Sequence, residues 1–122
     1  MSRKILVVDD DMMNLRMAEF ILQQKGYEVV KCESGMDCLS YLKEEKPDLI
    51  LLDIEMPIMN GLQVLEVIKG NEDTADIPVM FLTASADTDT VVEAGKLGVV
   101  DYIKKPFLPD ELQNRVEKVF LW

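Results

Sequence analysis

Five short apolar runs punctuate the chain: Lys4-Ile5-Leu6-Val7-Val8, Tyr27-Glu28-Val29-Val30, Leu49-Ile50-Leu51-Leu52, Val79-Met80-Phe81-Leu82 and Val99-Val100-Asp101-Tyr102-Ile103. The first is nearly continuous, as expected of a strand covered on both faces in a parallel sheet, and the others are similar. Between the runs, apolar residues recur at helical spacing, most clearly at Leu15, Ala18 and Leu22 and again at Leu62, Leu65 and Ile68. Gly26 and Gly70 fall where helix C-terminal caps are expected. Pro109 opens a last helix over 110–121, in which Leu112, Val116, Val119 and Phe120 make an apolar face. A β-α unit repeated five times predicts an α/β fold with a single open, doubly wound, five-stranded parallel sheet and helices on both faces. The working site of such a sheet lies at the carboxyl ends of its strands, near the switch point of strand order.

Composition narrows the chemistry. A chain of 122 residues fits one domain, 1–122, around one core. With 23 acidic and 13 basic residues the formal charge is −10, which opposes attraction to a phosphate backbone, so no direct nucleic-acid binding by this segment is expected. The run Ile5 to Val8 is too short for a signal peptide, and no stretch approaches the ~20 apolar residues of a membrane span. A cytoplasmic protein without membrane contact is the expectation. Cys32 and Cys38 lack the spacing of a metal-binding pair and are expected to be buried, reduced thiols. Histidine is absent, which excludes imidazole bases, Ser-His-Asp triads and His-containing zinc sites. Carboxylates, hydroxyls and lysines remain.

Those residues gather where the strands end. Strand one runs into Asp9, Asp10 and Asp11, strand three into Asp53, strand four into Thr83, and strand five is followed by Lys104, Lys105 and Pro106. Two like charges ~4 Å apart cost roughly 4 kcal/mol at the effective dielectric of a protein surface. A divalent cation relieves that cost, and hard oxygen ligands point to Mg²⁺, with Mn²⁺ as the alternative. Asp11, closest to the helix start, is read as a helix cap instead. A calcium-binding EF-hand loop fails at Met13, Asn14 and Phe20, where an oxygen ligand, a glycine and a glutamate are required. Asp53 stands before a loop that Pro57 and Gly61 stiffen. Beside a cation-binding pair, its carboxylate can attack phosphorus and form an aspartyl phosphate. Thr83 then offers a hydroxyl and Lys105 a cation to the phosphoryl oxygens.

The segments "VVDDD" at 7–11, "LLDIEMPIMNG" at 51–61, "FLTAS" at 81–85 and "DYIKKPF" at 101–107 together resemble the receiver domain of two-component response regulators, with a CheY-like, flavodoxin-like fold. The resemblance covers essentially the whole chain. It implies the strand order 2-1-3-4-5. It also implies Asp53 as phosphoacceptor and metal ligand, Asp10 as a direct Mg²⁺ ligand, Asp9 as a ligand acting largely through water, and the backbone carbonyl of Glu55 completing the set. Thr83 and Lys105 match the phosphoryl-sensing hydroxyl and lysine, Tyr102 the aromatic switch, and Lys105-Pro106 a cis peptide. Glu55 and Ser85 match positions that tune how fast water reaches the acyl phosphate.

The activity so implied is not that of a classical enzyme: it is Mg²⁺-dependent self-phosphorylation on Asp53 with slow autodephosphorylation. Because the chain has no histidine, the phosphoryl donor is a sensor histidine kinase or a histidine phosphotransfer protein. Phosphorylation then shifts the population toward a state with Thr83 drawn to the phosphoryl group and Tyr102 rotated inward. The downstream effector is left open. So is assembly, since Asp101 and Arg115 would suit either a monomer or a phosphorylation-dependent dimer, and Trp122 could dock on the domain or precede further chain. The runner-up reading is a receiver fold that works as a phosphorylation-independent interaction module. A haloacid-dehalogenase-type phosphatase fits poorly because Glu55 replaces its second aspartate. A flavodoxin-like nucleotide binder fits worse, because a phosphate loop needs amide donors where this chain has three acids.

Overall fold

Each apolar run supplies a strand of one parallel sheet. The computed structural model describes residues 2–84 and 88–121; Ser85 and Trp122 lie outside the described residues. The elements are β1 (Lys4–Val8), α1 (Met12–Gln23), β2 (Glu28–Cys32), α2 (Gly35–Glu44), β3 (Leu49–Asp53), α3 (Gly61–Gly70), β4 (Val79–Thr83), α4 (Thr88–Lys96), β5 (Asp101–Lys104) and α5 (Pro109–Phe120). The strand order is β2-β1-β3-β4-β5 and the pairing is parallel throughout, so the expected doubly wound sheet is borne out.

Alternation along the central strands divides the core in two, because successive side chains leave a strand on opposite faces. Ile5, Val7, Leu49, Leu51, Met80 and Leu82 pack with Leu15, Ala18 and Leu22 of α1 and Leu112 and Val116 of α5. Leu6, Val8, Ile50, Leu52, Val79 and Phe81 face α2, α3 and α4. Ile5 to Val8 are wholly buried. Burial of each such side chain contributes roughly 1.5–3 kcal/mol, and this is why the strand can hold acids only at its end.

Several boundaries differ from the sequence pattern for local reasons. Tyr27 precedes β2 and stacks at a tilt on Phe120, with 5.6 Å between ring centroids. The fifth strand begins at Asp101 rather than Val99, because Gly98, at φ 90°, ends the preceding helix and Val99 is spent on the turn. Gly26, at φ 85°, turns the chain two residues beyond Gln24, which is the cap of α1. Gly70 does not cap α3: it is the last helical residue, and Asn71 is the cap. On α3, Val64 is buried with Leu65 and Ile68, while Leu62 is only half-buried. The last helix starts at Pro109 and ends at Phe120.

Cys32 and Cys38 are free and buried. Burial pushes their thiols up to about 11 and about 12, so both stay protonated and unreactive. Among the described residues no helix is long and apolar enough to cross a membrane.

Candidate functional site

Register brings the four polar strand ends to one rim. Val8 pairs with Leu52 and Cys32, Asp53 with Leu82, and Thr83 with Lys104. Backbone bonds continue the ladder past the strands: the Asp9 N–H donates to Cys32 O at 3.1 Å, Ile54 N–H to Leu82 O at 3.2 Å and Lys105 N–H to Thr83 O at 2.7 Å. Asp9, Asp53, Thr83 and Lys105 are therefore held by the sheet rather than by free loops. The Lys105-Pro106 peptide is cis, as the resemblance implied.

The loop after Asp53 closes against the same backbone. A β-carbon at Gly61 would lie 2.4 Å from the Asp53 carbonyl oxygen and 2.8 Å from Ile54 Cα, so only glycine fits there. The Gly61 N–H donates to Ile54 O, and Asn60 and Gln63 form a reciprocal capping box that starts α3. Ile58 occupies the left-handed region at φ 69° and is fully exposed, a costly conformation for a β-branched side chain.

The three consecutive aspartates have three different surroundings. Asp9 is buried; its Oδ1 accepts the Asp11 N–H at 3.0 Å. Asp10 is exposed to solvent. Asp11 caps α1, its Oδ1 accepting the Met13 N–H at 2.9 Å, as its place before the helix suggested. Asp9, Asp10 and Asp53 each put an oxygen within 4.8 Å of the others, a spacing at which one hard cation can reach all three.

Two of these acids, Asp9 and Asp53, are 1% and 2% exposed, and the Lys105 side chain lies between them. The Lys105 ammonium is 2.7 Å from Asp9 Oδ2 and 3.1 Å from Asp53 Oδ1. Its charge faces both oxygens, which have no other polar partner among the described residues. Burial, then the charge of Asp9, push the Asp53 carboxyl up to about 7 against the opposing pull of Lys105. Burial lowers the Lys105 ammonium, but Asp9 and Asp53 more than offset this and hold it above its ordinary value. Two buried carboxylates that face one ammonium, with two oxygens that have no polar partner beyond it among the described residues, suit the donor set of a divalent cation.

The remaining expected residues lie on β4 and β5, in the loop after β3 and on α5. Thr83 is buried, and its hydroxyl donates to Glu55 Oε1 at 2.9 Å. This contact of the Glu55 side chain had no counterpart in the sequence reading; the only available signal was an acid two residues after Asp53. Tyr102, on β5, is exposed. Arg115 donates to its carbonyl at 3.1 Å and to Asp101 Oδ1 at 2.7 Å, so Asp101 and Arg115 pair with each other within the chain.

Comparison with known proteins agrees with this geometry. A family model described as the response regulator receiver domain matches residues 5–117. The phosphate regulon transcriptional regulatory protein PhoB of Klebsiella pneumoniae is 41% identical over 119 residues, which are 98% of this chain and 52% of that protein. The DNA-binding response regulator MtrA of Mycobacterium tuberculosis is 40% identical over 116 residues, 95% of this chain and 50% of that one. The chain thus spans about half the length of the curated relatives it matches. Among solved structures, a response regulator from Chloroflexus aurantiacus superposes with a TM-score of 0.94 at 30% identity, covering 100% of both chains. The chemotaxis protein CheY4 of Vibrio cholerae gives 0.93 at 27% identity, covering 98% of this chain and 100% of that one.

Proposed function

This chain belongs to the response regulator receiver domains of two-component signalling, and from that premise we propose that residues 1–122 act as a cytoplasmic phosphoacceptor whose acceptor is Asp53. The observation that carries the reading is the juxtaposition at the strand ends: a buried Asp53 within reach of Asp9, Asp10 and Lys105, with Thr83 next along the neighbouring strand from its partner Leu82. An Asp53 carboxylate oxygen attacks the phosphorus of a phosphohistidine on a partner. The new O–P bond forms as the N–P bond breaks, and the imidazole leaves with the bonding pair. Transfer of this kind demands mostly alignment and charge neutralisation.

Asp9, Asp10, Asp53 and the backbone carbonyl of Glu55 would hold Mg²⁺ or Mn²⁺. Bound there, the cation supplies positive charge to the phosphoryl oxygens. Lys105 turns its ammonium from the carboxylates to a phosphoryl oxygen, and Thr83 donates its hydroxyl to another. With no histidine in the sequence, the donor is a sensor histidine kinase or a histidine phosphotransfer protein. PhoB and MtrA are named as transcriptional and DNA-binding regulators. An output of that type would need other sequence, because the formal charge of −10 on this chain opposes DNA.

The direct test is intact mass after incubation with a small acyl phosphate. Gain of one phosphoryl group that requires Mg²⁺ or Mn²⁺ is the expected result; no gain with either cation would favour a phosphorylation-independent interaction module. Metal binding should separate the neighbouring acids. Asp10→Asn is expected to weaken Mg²⁺ binding about 10- to 100-fold, whereas Asp11→Asn, which touches only the helix cap, leaves it within about twofold. Equal losses in a Mg²⁺ titration would refute the division of roles.

The switch follows from the same chemistry. Phosphorylation draws Thr83 toward the phosphoryl oxygens, and the exposed Tyr102 ring turns inward, changing the surface of α4, β5 and α5. Labelling of the phenol should therefore slow when the protein carries a phosphoryl mimic; an unchanged labelling rate would sink the switch.

A further inference from the structure

Glu55 is an exposed residue whose carboxylate nevertheless turns back onto the sheet. Its backbone lies between buried Ile54 and buried Met56. The Ile54 carbonyl accepts both the Met56 and the Gly61 N–H, which fixes the loop on either side. From this anchored position Oε1 accepts the Thr83 hydroxyl at 2.9 Å, and Oε2 accepts the Ala84 N–H at 3.4 Å. An exposed glutamate is ordinarily solvated and gives up rotamer freedom to be held. Here both oxygens of one carboxylate converge on a hydroxyl and the next backbone amide.

That acceptor pattern is the one a phosphoryl group would present. A phosphoryl group on Asp53 has anionic oxygens of similar spacing, and it would look for donors at the nearest strand end. Asp53 pairs with Leu82, so the next residues of β4 and its loop, Thr83 and Ala84, offer those donors. Both are taken by Glu55 in the unphosphorylated chain. We propose that the Glu55 carboxylate is an internal stand-in for the phosphoryl group, holding the Thr83 hydroxyl and Ala84 amide until phosphorylation of Asp53 displaces it. Glu55 is in this role a positioning residue that opposes the switch: every phosphorylation event must break its charge-assisted hydrogen bonds before Thr83 can move. The inference rests on Asp53 being the acceptor, and adds a competitor within the same site.

The test measures the affinity of beryllofluoride, a phosphoryl mimic, at saturating Mg²⁺ by ¹⁹F NMR in a two-residue cycle. Glu55→Ala should tighten binding about tenfold, the effect of removing one charge-assisted contact from the resting state. Removing a negative charge near an anion would tighten binding as well, and the cycle separates the two causes. In a Thr83→Ala background the same Glu55→Ala change should gain no more than about twofold, because the hydroxyl that Glu55 withholds is gone and only the longer 3.4 Å contact to the Ala84 N–H remains. An equal gain in both backgrounds makes Glu55 a plain repulsive charge and overturns the stand-in role, as does no gain in either. Failure of the parent chain to bind the mimic in an Asp53-dependent way would overturn the acceptor assignment itself, so the two failures are distinguishable. Glu55→Gln, which keeps an oxygen for the Thr83 hydroxyl but loses the charge, should gain less than Glu55→Ala.

Discussion

Asp53→Asn is expected to take up no phosphoryl group and, in chelator at neutral pH, to be more stable than the parent by about 1–3 kcal/mol. The loss follows from removal of the nucleophilic carboxylate oxygen. The gain in stability follows from charge. Asp9 and Asp53 are both buried and share one ammonium, so without a divalent cation the trio carries a net negative charge. Asparagine keeps the shape of the side chain and leaves Lys105 and Asp9 as a neutral pair. The sign with pH is fixed by the direction of the shift: the Asp53 carboxyl in the fold lies at about 7, above its ordinary 3.8. Its contribution to stability is fully present below the ordinary value and is lost as pH rises toward 7. Urea unfolding in chelator should therefore show parent and variant diverging between about pH 4 and pH 7, with the variant ahead at the upper end. A variant less stable than the parent at pH 7.5, or one that still gains phosphoryl mass, would overturn the assignment.

The sheet is legible in the sequence because a parallel strand buried on both faces needs a continuous apolar run, and little else of four or five residues has that composition. Ile5 to Val8 and Leu49 to Leu52 are the cleanest cases, and the acids that end them could be placed at the rim before any contact was known. Tyr27 and Val99 misled the boundaries because apolarity does not distinguish a strand from a residue packed beside one. The helix ends at Gly70 and Gly98 show the same limit: glycine is compatible with a helix interior and with a left-handed stop, and only the backbone angle separates them.

At the site, residue type and place at a strand end were enough to nominate Asp9, Asp10, Asp53, Thr83 and Lys105. What those side chains touch was not legible. Lys105 could be assigned to phosphoryl oxygens, yet in the unphosphorylated fold its ammonium bridges two carboxylates from other strands. Glu55 is separated from Thr83 by 28 positions, and their contact depends on the β3-β4 register and on a rotamer that turns toward the sheet. Long-range pairs of this kind leave no local pattern.

Lys105→Met is expected to destabilise the chain in chelator by about 3–5 kcal/mol at neutral pH, with millimolar Mg²⁺ restoring most of the loss. Methionine retains most of the apolar stem, so the change isolates the ammonium. Without it Asp9 and Asp53 face each other as two buried carboxylates whose oxygens Oδ2 and Oδ1 have no hydrogen-bond partner. The fold can escape part of this cost by protonating one acid, and Asp53, already raised by burial and by Asp9, is the one to take the proton. The penalty should accordingly shrink as pH falls. A divalent cation relieves the same repulsion by another route: it replaces the missing charge and no longer competes with the ammonium for the same oxygens. Mg²⁺ should therefore bind the variant more tightly and raise its melting temperature more than it raises that of the parent. Thermal melts in chelator and in Mg²⁺ decide the matter, since equal melting of the two chains in chelator would mean that Lys105 is a bystander. The expected result makes Lys105 the resting-state counter-charge of the site, an ammonium that lets two acids remain buried until metal and phosphoryl group arrive.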